Sequence, residues 1–290
     1  MAVEPNLADE TKSRPRMSTR NRVLFFVVGW LIVLMPFLFW WNTWFGRGLS
    51  DKQLMEYLHD TQHPRHIQHA LVQLGERMSK HNTSASRWYP DMVHLANYPV
   101  EEVRNTDAWA MGQDTNGAGF HDALLKMLSD SSPTVQGNAA LSLVRFGDAT
   151  GRPQILVLLQ SATLTAPVAG KVGDIGSVGT AIRQHGLVGR LEADGKTIDI
   201  RSPINGRVRA SRVSMGQNVA AGAELATIDP DEEQVWEALR ALYLVGQPDD
   251  LAAVKRYEQP DPEISNRVQQ QARETEQAIR SRAGGSNNQM

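Results

Sequence analysis

Apolar residues recur at helical spacing in several parts of the chain. Each stripe of aliphatic residues three or four positions apart follows Pro or an acidic residue, which favour the first turn of a helix. The stripes are Ile67, Leu71 and Leu74; Val135, Ala139, Leu143 and Phe146; Val235, Leu239 and Leu242; and Ile264, Val268, Ala272 and Ile279. They predict amphipathic helices that each bury one face.

Two of these helices end at glycine and are followed by a second apolar segment. Gly147 precedes the segment of residues 155–159, and Gly246 precedes that of residues 251–254. This succession of helix, tight turn and helix resembles HEAT repeats, whose paired helices stack into a solenoid with a continuous core. The resemblance implies an α-solenoid, with a generic helical bundle as the alternative.

A segment of different character separates two of the repeats. The first aliphatic residues of successive repeats, with Val103 included, lie 29 to 36 residues apart, but Val135 and Val235 lie 100 apart. Removing the 68 residues 163–230 leaves 32, a normal repeat length. Exposed turns accept insertions when the ends of the guest domain lie close together. The spacing therefore predicts an inserted domain.

The inserted segment alternates apolar and polar residues over short runs and contains ten glycines. Period two with frequent turns predicts β-strands. Residues 166–172 (APVAGKV) are echoed 36 positions later by residues 202–208 (SPINGRV). Two related halves predict one small sandwich.

The second half of this segment, from Ser202 through residues 215–219 (MGQNV) and 222–225 (GAEL) to Ile228, resembles a known family. It is similar to the biotinyl/lipoyl domain and to the barrel-sandwich hybrid of periplasmic membrane fusion proteins of the HlyD type. The resemblance covers about 65 residues and rests on the doubled Pro-x-x-Gly and the later Gly-Gln-x-Val-x-x-Gly. It implies an all-β, lipoyl-like barrel-sandwich domain.

The chain departs from both functional branches of that family. The resemblance implies, for a carrier, an acylated lysine at the tip of the hairpin of residues 192–197. Gly195 occupies that position and Lys196 follows one residue late, which turns its side chain to the other face. Lys196 is therefore a weak cofactor-binding candidate. The adaptor branch carries a long helical hairpin between the half-motifs, and the roughly 30 residues between Gly170 and Pro203 leave no room for it.

The segment from Val23 to Phe45 contains 23 residues without an ionisable side chain. At a rise of 1.5 Å per residue, a helix of this length spans roughly 35 Å, enough for a hydrocarbon core of about 30 Å. Trp40, Trp41 and Trp44 near its end are expected to be membrane-interface anchors. The alternative is a cleaved signal peptide, whose apolar region is shorter, about 7 to 15 residues.

The charges around this segment predict its orientation. Five cations and no acidic residue immediately precede it: Lys12, Arg14, Arg16, Arg20 and Arg22. The positive-inside rule places residues 1–22 in the cytoplasm and everything after about residue 46 outside. We expect a single-pass protein of the bacterial cytoplasmic (inner) membrane with its bulk in the periplasm.

Composition excludes several functions. Thirty Lys and Arg residues against 32 Asp and Glu residues leave a net charge of −2, so no strong field recruits nucleic acid. The absence of cysteine excludes disulfides, thiolate zinc sites, iron–sulfur ligation and cysteine nucleophiles. No Ser-His-Asp set or carboxylate pair stands at a suggestive spacing. We therefore expect no enzyme activity and no cofactor.

Four histidines form the most suggestive cluster for a metal: His59, His63, His66 and His69. His66 and His69 lie one helical turn apart, the spacing of two ligands on one helix face. His63 precedes Pro64 in a turn, and no acidic partner is positioned by spacing. Ordinary surface and capping roles, without a metal site, are therefore expected.

A small basic patch is the candidate interaction site of the inserted segment. Arg207 and Arg209 share a strand face, and Arg212 lies nearby. Such a patch either meets an acidic partner or keeps a strand edge soluble.

The sequence thus predicts a multidomain chain of α and β structure. Its segments are a cytoplasmic tail (1–22), a transmembrane helix (23–45), HEAT-like repeats (49–162), the inserted β-domain (163–230), continued repeats (231–282) and a disordered tail (283–290). The expected function is a non-catalytic scaffold for protein partners, such as a membrane transport complex or another membrane complex. An atypical HlyD-like adaptor subunit of an export or efflux system and a lipoyl or biotin carrier module are the alternatives.

Overall fold

The computed structural model describes most of the chain, namely residues 19–44, 48–261 and 263–287, without the side chains of residues 22, 37–44 and 285–287. The chain forms two compact units, Met1–Ser50 and Asp51–Met290.

The first unit contains one long helix, α1 (Thr19–Trp44). Its 18-residue window Thr19–Pro36 has a mean hydropathy of 1.3, which makes α1 long and apolar enough to cross a membrane. The described apolar side chains of α1, such as Phe25 and Trp30, are mostly exposed. The helix begins four residues before the predicted start at Val23, because no residue between them stops a helix.

Some predictions for this region fall outside the described residues. They concern residues 1–18 of the cytoplasmic tail, Phe45, the side chain of Arg22, and the side chains of Trp40, Trp41 and Trp44.

The second unit contains ten α-helices in its described part. They are α2 (Asp51–Leu58), α3 (Pro64–Ser79), α4 (Tyr89–Leu95), α5 (Glu101–Met111), α6 (Phe120–Met127), α7 (Pro133–Arg145), α8 (Arg152–Leu158), α9 (Glu232–Val245), α10 (Leu251–Lys255) and α11 (Asn266–Asn287). The helices α3, α5, α7, α9 and α11 contact one another in this order and form one row, and α2, α4, α6, α8 and α10 pack against that row. The prediction of repeat-like helices is confirmed in this coarse form.

Side chains cap the first turns of α7 and α9. Ser132 precedes α7, and its Oγ accepts a hydrogen bond from the backbone N–H of Val135 at 3.4 Å. Asp231 precedes α9, and its Oδ1 accepts one from the N–H of Gln234 at 2.8 Å. Both bonds satisfy donors that lack a partner within the helix.

The start of the last helix corrects the sequence analysis. Ile264 lies before α11, which begins at Asn266. Ser265 caps this helix through a 3.3 Å hydrogen bond from the N–H of Val268 to its Oγ. Val268 is the first buried aliphatic residue of α11 and lies 33 residues after Val235. The corrected spacing is close to a normal repeat.

One buried row of side chains runs through the stacked helices. Four residues after the first buried aliphatic residue, the five helices carry Leu71, Asp107, Ala139, Leu239 and Ala272, each 0% exposed. Asp107 has an ionisable side chain, whereas the other four residues of this row are Leu or Ala. Neither carboxylate oxygen of Asp107 has a hydrogen-bond partner. Burial raises the pKa of Asp107 well above its ordinary value.

The short helices α4 and α6 contain none of the predicted apolar stripes. They contain seven and eight residues, too few for an apolar stripe to recur clearly. The ring of Tyr89 in α4 lies 4.6 Å from that of Phe120 in α6, and its hydroxyl donates a hydrogen bond to Asp114 in the loop between α5 and α6. Tyr89 therefore joins α4 to α6 and to the loop that precedes α6.

Eight strands lie between α8 and α9. They are β1 (Ala162–Thr165), β2 (Gly170–Ile175), β3 (Ala181–Ile182), β4 (Leu187–Ala193), β5 (Lys196–Arg201), β6 (Gly206–Ser211), β7 (Asn218–Val219) and β8 (Glu224–Pro230). They form two antiparallel sheets with the orders β1-β8-β6-β3 and β5-β4-β2-β7. Both sheets contribute to one hydrophobic core, with Val172 and Leu191 from one sheet and Val208 and Ile228 from the other.

The predicted internal echo is visible in the strand pairing. Gly170 begins β2 and Gly206, 36 residues later, begins β6. The strands β1 to β4 correspond in the same way to β5 to β8. Exchanging each strand for its counterpart converts the order of one sheet into that of the other. The two halves of the segment are thus related by internal symmetry, and each half contributes two strands to each sheet.

The helices on the two sides of this β-segment contact each other directly. α8 packs against α9, and the side chain of Gln234 donates a 2.9 Å hydrogen bond to the carbonyl of Leu158. The hydroxyl of Tyr257 donates one of 2.7 Å to the carbonyl of Leu159. Burial raises the pKa of Tyr257 to about 12, so this hydroxyl keeps its proton at neutral pH.

The prediction of a disordered tail at residues 283–290 is wrong for residues 283–287, which continue α11. Arg282 fixes this end of the helix, because its guanidinium donates hydrogen bonds to the carbonyls of Tyr243 at 2.5 Å and Gly246 at 2.9 Å. Composition alone does not indicate such a contact. Residues 288–290 lie outside the described part.

Candidate protein-interaction site

A groove of about 700 Å³ crosses the exposed side of the stacked helices α5, α7, α9 and α11. Three large apolar side chains that line it are exposed, namely Trp109 at 38%, Tyr243 at 43% and Leu244 at 60%. Exposed apolar residues that cluster beside polar ones mark interaction surfaces. We call this feature the helical groove.

Trp109 is seated on the neighbouring helix. A Cβ atom on Gly75 of α3 would lie 2.6 Å from the indole ring, so a larger residue at position 75 would displace the ring. Gln113 donates a 3.0 Å hydrogen bond to the carbonyl of Trp109 and accepts one of 3.0 Å from Arg145 of α7. The aromatic side chain and the polar groups beside it are therefore held by three successive helices of the row.

Amide side chains lie between α5 and α7. The Nδ2 group of Asn138, which lines the groove, donates a 2.6 Å hydrogen bond to Oδ1 of Asn105. A carboxamide offers both a donor and an acceptor. It therefore matches the N–H and C=O groups of an extended peptide backbone.

Charges of both signs occupy the α9 end of the groove. Arg145 and Arg240 line it together with Glu233, Glu237 and Glu274. The guanidinium of Arg267 lies 3.7 Å from the ring centre of Trp236 and 2.8 Å from a carboxylate oxygen of Glu233. Opposite charges within one groove favour recognition by shape and hydrogen bonding over long-range attraction.

The predicted basic patch is divided in the structure. Arg207 and Arg209 line a second cavity of about 360 Å³ between the β-segment and the helices α9 and α11, whereas Arg212 does not line it. Asp229 lies 3.0 Å from Arg209 and 3.3 Å from Arg256, and so offsets part of their charge. Arg207 donates to the carbonyl of Gly179 at 2.6 Å. The patch is thus less basic than the sequence indicates.

Lys196 is exposed and begins β5, directly after a two-residue turn. Asp194 and Gly195 form this turn with φ values of 49° and 72°, the left-handed conformation that such hairpin turns require. Ala193 and Lys196 are paired across it. The position that a carrier lysine would occupy is therefore held by a turn glycine.

The structure brings together two of the four histidines. His63 and His66 both place Nδ1 against the carboxylate of Asp60, whereas His59 lies 3.4 Å from Asp91 and His69 contacts the ring of Tyr57. Sequence spacing indicated no acidic partner for these histidines, but the α2–α3 loop folds Asp60 back onto the first turn of α3. The hydrogen bond from His66 is the main cause that lowers the pKa of Asp60.

Sequence reasoning missed the residues of the helical groove. Trp109 follows buried Ala108, and Tyr243 and Leu244 follow buried Leu242. A signal was present, since large apolar side chains stand beside the buried stripe and outside it on helices of the same row. Their grouping depends on how the helices stack, which the periodicity of one helix does not determine.

Comparison with known proteins assigns no family to the chain. No protein-family model and no curated protein matches it. Among solved structures, a designed armadillo repeat protein in complex with the peptide (KR)4 matches 78% of this chain and 80% of its own length at 16% identity, with a TM-score of 0.41. An engineered protein matches 80% of each chain at 18% identity, also with a TM-score of 0.41. A single-chain, multi-domain long-chain acyl-CoA carboxylase matches 33% of this chain at 23% identity and a TM-score of 0.24, and the match spans 11% of the carboxylase.

Proposed function

We propose that this protein is a membrane-anchored, non-catalytic scaffold whose helical groove binds an extended segment of a partner protein. The observation that carries the proposal is the grouping of Trp109, Tyr243 and Leu244 on one exposed side of the helix row. Such side chains would bury apolar area against a partner, at about 25 cal/mol for each Å² removed from water. The amide of Asn138 would supply hydrogen bonds to the partner's backbone.

The dimensions of the groove fit a short extended segment. Packed helices lie about 8–10 Å apart, so the three spacings from α5 to α11 span roughly 24–30 Å. An extended chain advances about 3.3 Å per residue, so roughly seven to nine residues cover this length. We therefore propose an unstructured loop or tail of a partner as the occupant.

A photo-crosslinking residue placed at Leu244 in the full chain should give covalent adducts with the partner in the native host. The same residue at Val157, which is 52% exposed on α8 and does not line the groove, should give few or none. Trp109→Ala should weaken the Leu244 adducts at least tenfold, as expected when a buried aromatic anchor is removed from an interface. Equal adducts from both positions, or adducts unchanged by Trp109→Ala, would contradict the proposal.

We propose that the β-segment is a biotinyl/lipoyl-like sandwich that serves as a second docking module. The internal duplication and the shared core of its two sheets support this, and the cavity beside Arg207 and Arg209 is its candidate contact surface. A carrier role is disfavoured by the turn glycine at position 195. An adaptor role in export would need a helical hairpin, and the described residues between β2 and β6 contain strands and turns alone.

The membrane anchor in this proposal is α1, inserted with its amino terminus in the cytoplasm. A reporter enzyme that is active only outside the cytoplasm, fused after Met290, should be active because the positive-inside rule exports everything after α1. Replacing the five cations before Val23 with Gln and adding Lys after Arg47 should produce mixed orientation. An inactive exoplasmic reporter together with an active cytoplasmic one would contradict the orientation.

A further inference from the structure

The loop between α2 and α3 folds a carboxylate against two imidazoles. Oδ1 of Asp60 accepts hydrogen bonds from the backbone N–H groups of Gln62 and His63, both at 3.2 Å. Oδ2 of the same carboxylate lies 3.0 Å from Nδ1 of His63 and 2.7 Å from Nδ1 of His66. The backbone of the loop thus orients the carboxylate, and three side chains direct one polar atom each to the same point.

The imidazole of His66 is also held in place. Pro64 begins α3 and places His66 in its first turn. The ring of His66 stacks on that of Tyr57 in α2, with centres 4.4 Å apart and planes 11° apart. The side chains of Asp60 and His66 are 26% and 42% exposed, so the point they share is reachable from solvent. Two of the three groups are therefore oriented before any ligand arrives.

We propose that Asp60, His63 and His66 bind one divalent transition-metal ion of the Zn²⁺ class. Imidazole nitrogen and carboxylate oxygen are the ligands that such ions take in cysteine-free sites. The three ligand atoms lie within 4.8 Å of one another. Bonds of about 2.0–2.1 Å in tetrahedral geometry separate neighbouring ligand atoms by roughly 3.3 Å, so the side chains need to move by less than about 1 Å.

The ion would take the place of the two hydrogen bonds to the carboxylate. Both imidazoles would bind the ion through Nδ1, which requires the ring proton to lie on Nε2. Three protein ligands leave a fourth position for water or for a side chain of a partner. Bound metal would also join the α2–α3 loop to the first turn of α3.

The neighbouring histidines provide matched controls. Nδ1 of His59 lies 2.9 Å from the carbonyl of Met55, and its Nε2 faces Asp91. His69 contacts Tyr57 at a ring distance of 6.0 Å. Neither belongs to a group of three candidate ligands within the described residues. They have the same side chain in the same part of the fold but lie outside the proposed site.

The test is a calorimetric titration with Zn²⁺ alone. The protein is the untagged full chain in mild detergent, treated beforehand with a chelator. We expect one saturable site and a higher midpoint of thermal unfolding with the metal. His63→Ala/His66→Ala should lower the affinity at least tenfold, and Asp60→Asn, which keeps an acceptor for the loop's N–H groups, should lower it in the same direction. His59→Gln/His69→Gln should bind as the parent chain does.

Two outcomes of the titration would overturn the proposal. One is the absence of saturable binding to the parent chain. The other is binding that survives in both site variants, which would mean adventitious capture by other groups. X-ray absorption at the zinc edge gives a second readout, since the proposed site requires two imidazoles and one carboxylate, and a spectrum without histidine ligands would contradict it. This test does not depend on the partner, so it can fail while the scaffold proposal stands.

Discussion

Replacing Asp107 with Leu is expected to stabilise the second unit by about 1–3 kcal/mol at neutral pH, the cost of a buried polar group without a hydrogen-bond partner. Asp107 is fully buried and both of its carboxylate oxygens lack a partner. Leu has nearly the same branched shape. The corresponding position of α3 and α9 is already occupied by Leu71 and Leu239, so the stacked helices accommodate this side chain.

The stability gained by Asp107→Leu should increase as the pH rises from acid to neutral. Because burial raises the pKa of Asp107, the folded state binds a proton that the unfolded state releases above its ordinary pKa of about 4. The contribution of Asp107 to the free energy of unfolding should therefore fall as the pH rises above about 4, by up to about 1.4 kcal/mol per pH unit, until the pH passes its folded-state pKa. Asp107→Leu removes this group, so its advantage should be smallest in acid and grow towards neutral pH.

Urea unfolding of the full chain in mild detergent, followed by circular dichroism between pH 4 and 8, measures both effects. Asp107→Asn should remove this contribution of Asp107 to the pH dependence but gain less stability, because the amide stays buried and unpaired. Asp122→Leu on α6, with a carboxylate side chain that is 82% exposed, should change stability by no more than about 0.5 kcal/mol. An Asp107→Leu chain that is less stable than the parent at pH 7 would contradict the assignment of Asp107 to the core.

Periodicity was sufficient to predict the long helices and the β-segment, because burial repeats along one element. The stripes beginning at Ile67 and Val235 are buried as predicted, as are Val135, Ala139 and Leu143, whereas Phe146 is half-buried. The short helices α4 and α6, of about two turns each, were not predicted. Periodicity did not predict the burial of Asp107. A polar residue within a stripe is indistinguishable in sequence from an exposed one, because its burial depends on the packing of neighbouring helices.

The candidate sites were predictable to the extent that they are local in sequence. The histidines of the α2–α3 region were recognised, but their partner Asp60 lies in a loop where helical spacing does not apply. The basic patch was recognised on β6, but its neutralisation by Asp229 depends on the pairing of β6 with β8. The helical groove needs four helices from both sides of the β-segment, and only their stacking brings those residues together.

Replacing Arg152 with Met is expected to destabilise the second unit by about 2–3 kcal/mol. Its guanidinium lies 2.9 Å from Oδ1 of Asp250, whose side chain is 1% exposed. The other oxygen of Asp250 accepts a 2.8 Å hydrogen bond from the N–H of Gln247. Removing one partner of a buried ion pair typically costs about 3–5 kcal/mol, and the 24% exposure of Arg152 reduces this here.

A double-mutant cycle measures the coupling free energy between Arg152 and Asp250 apart from the contacts that each makes with other groups. Asp250→Asn keeps an acceptor for the N–H of Gln247 and removes the charge that Arg152 compensates. Adding it to Arg152→Met should recover about 1–2 kcal/mol relative to the sum of the single changes. Lys52→Met breaks an exposed ion pair with Glu56 and should cost less than about 1 kcal/mol. Equal losses for Arg152→Met and Lys52→Met would mean that the buried pair does not form.

The same substitution tests whether the helix row is continuous across the β-segment. Arg152 and Asp250 lie on opposite sides of the strands in sequence, yet their side chains meet. Ala162 and Ile228 are paired in neighbouring strands, so a short linker from residue 161 to residue 231 can replace the segment. If the helices stack without help from the strands, Arg152→Met should cost the same in the shortened chain as in the full chain, because the ion pair is retained. A shortened chain that is unfolded, or in which Arg152→Met has no effect, would show that the sheets hold the two halves of the row together.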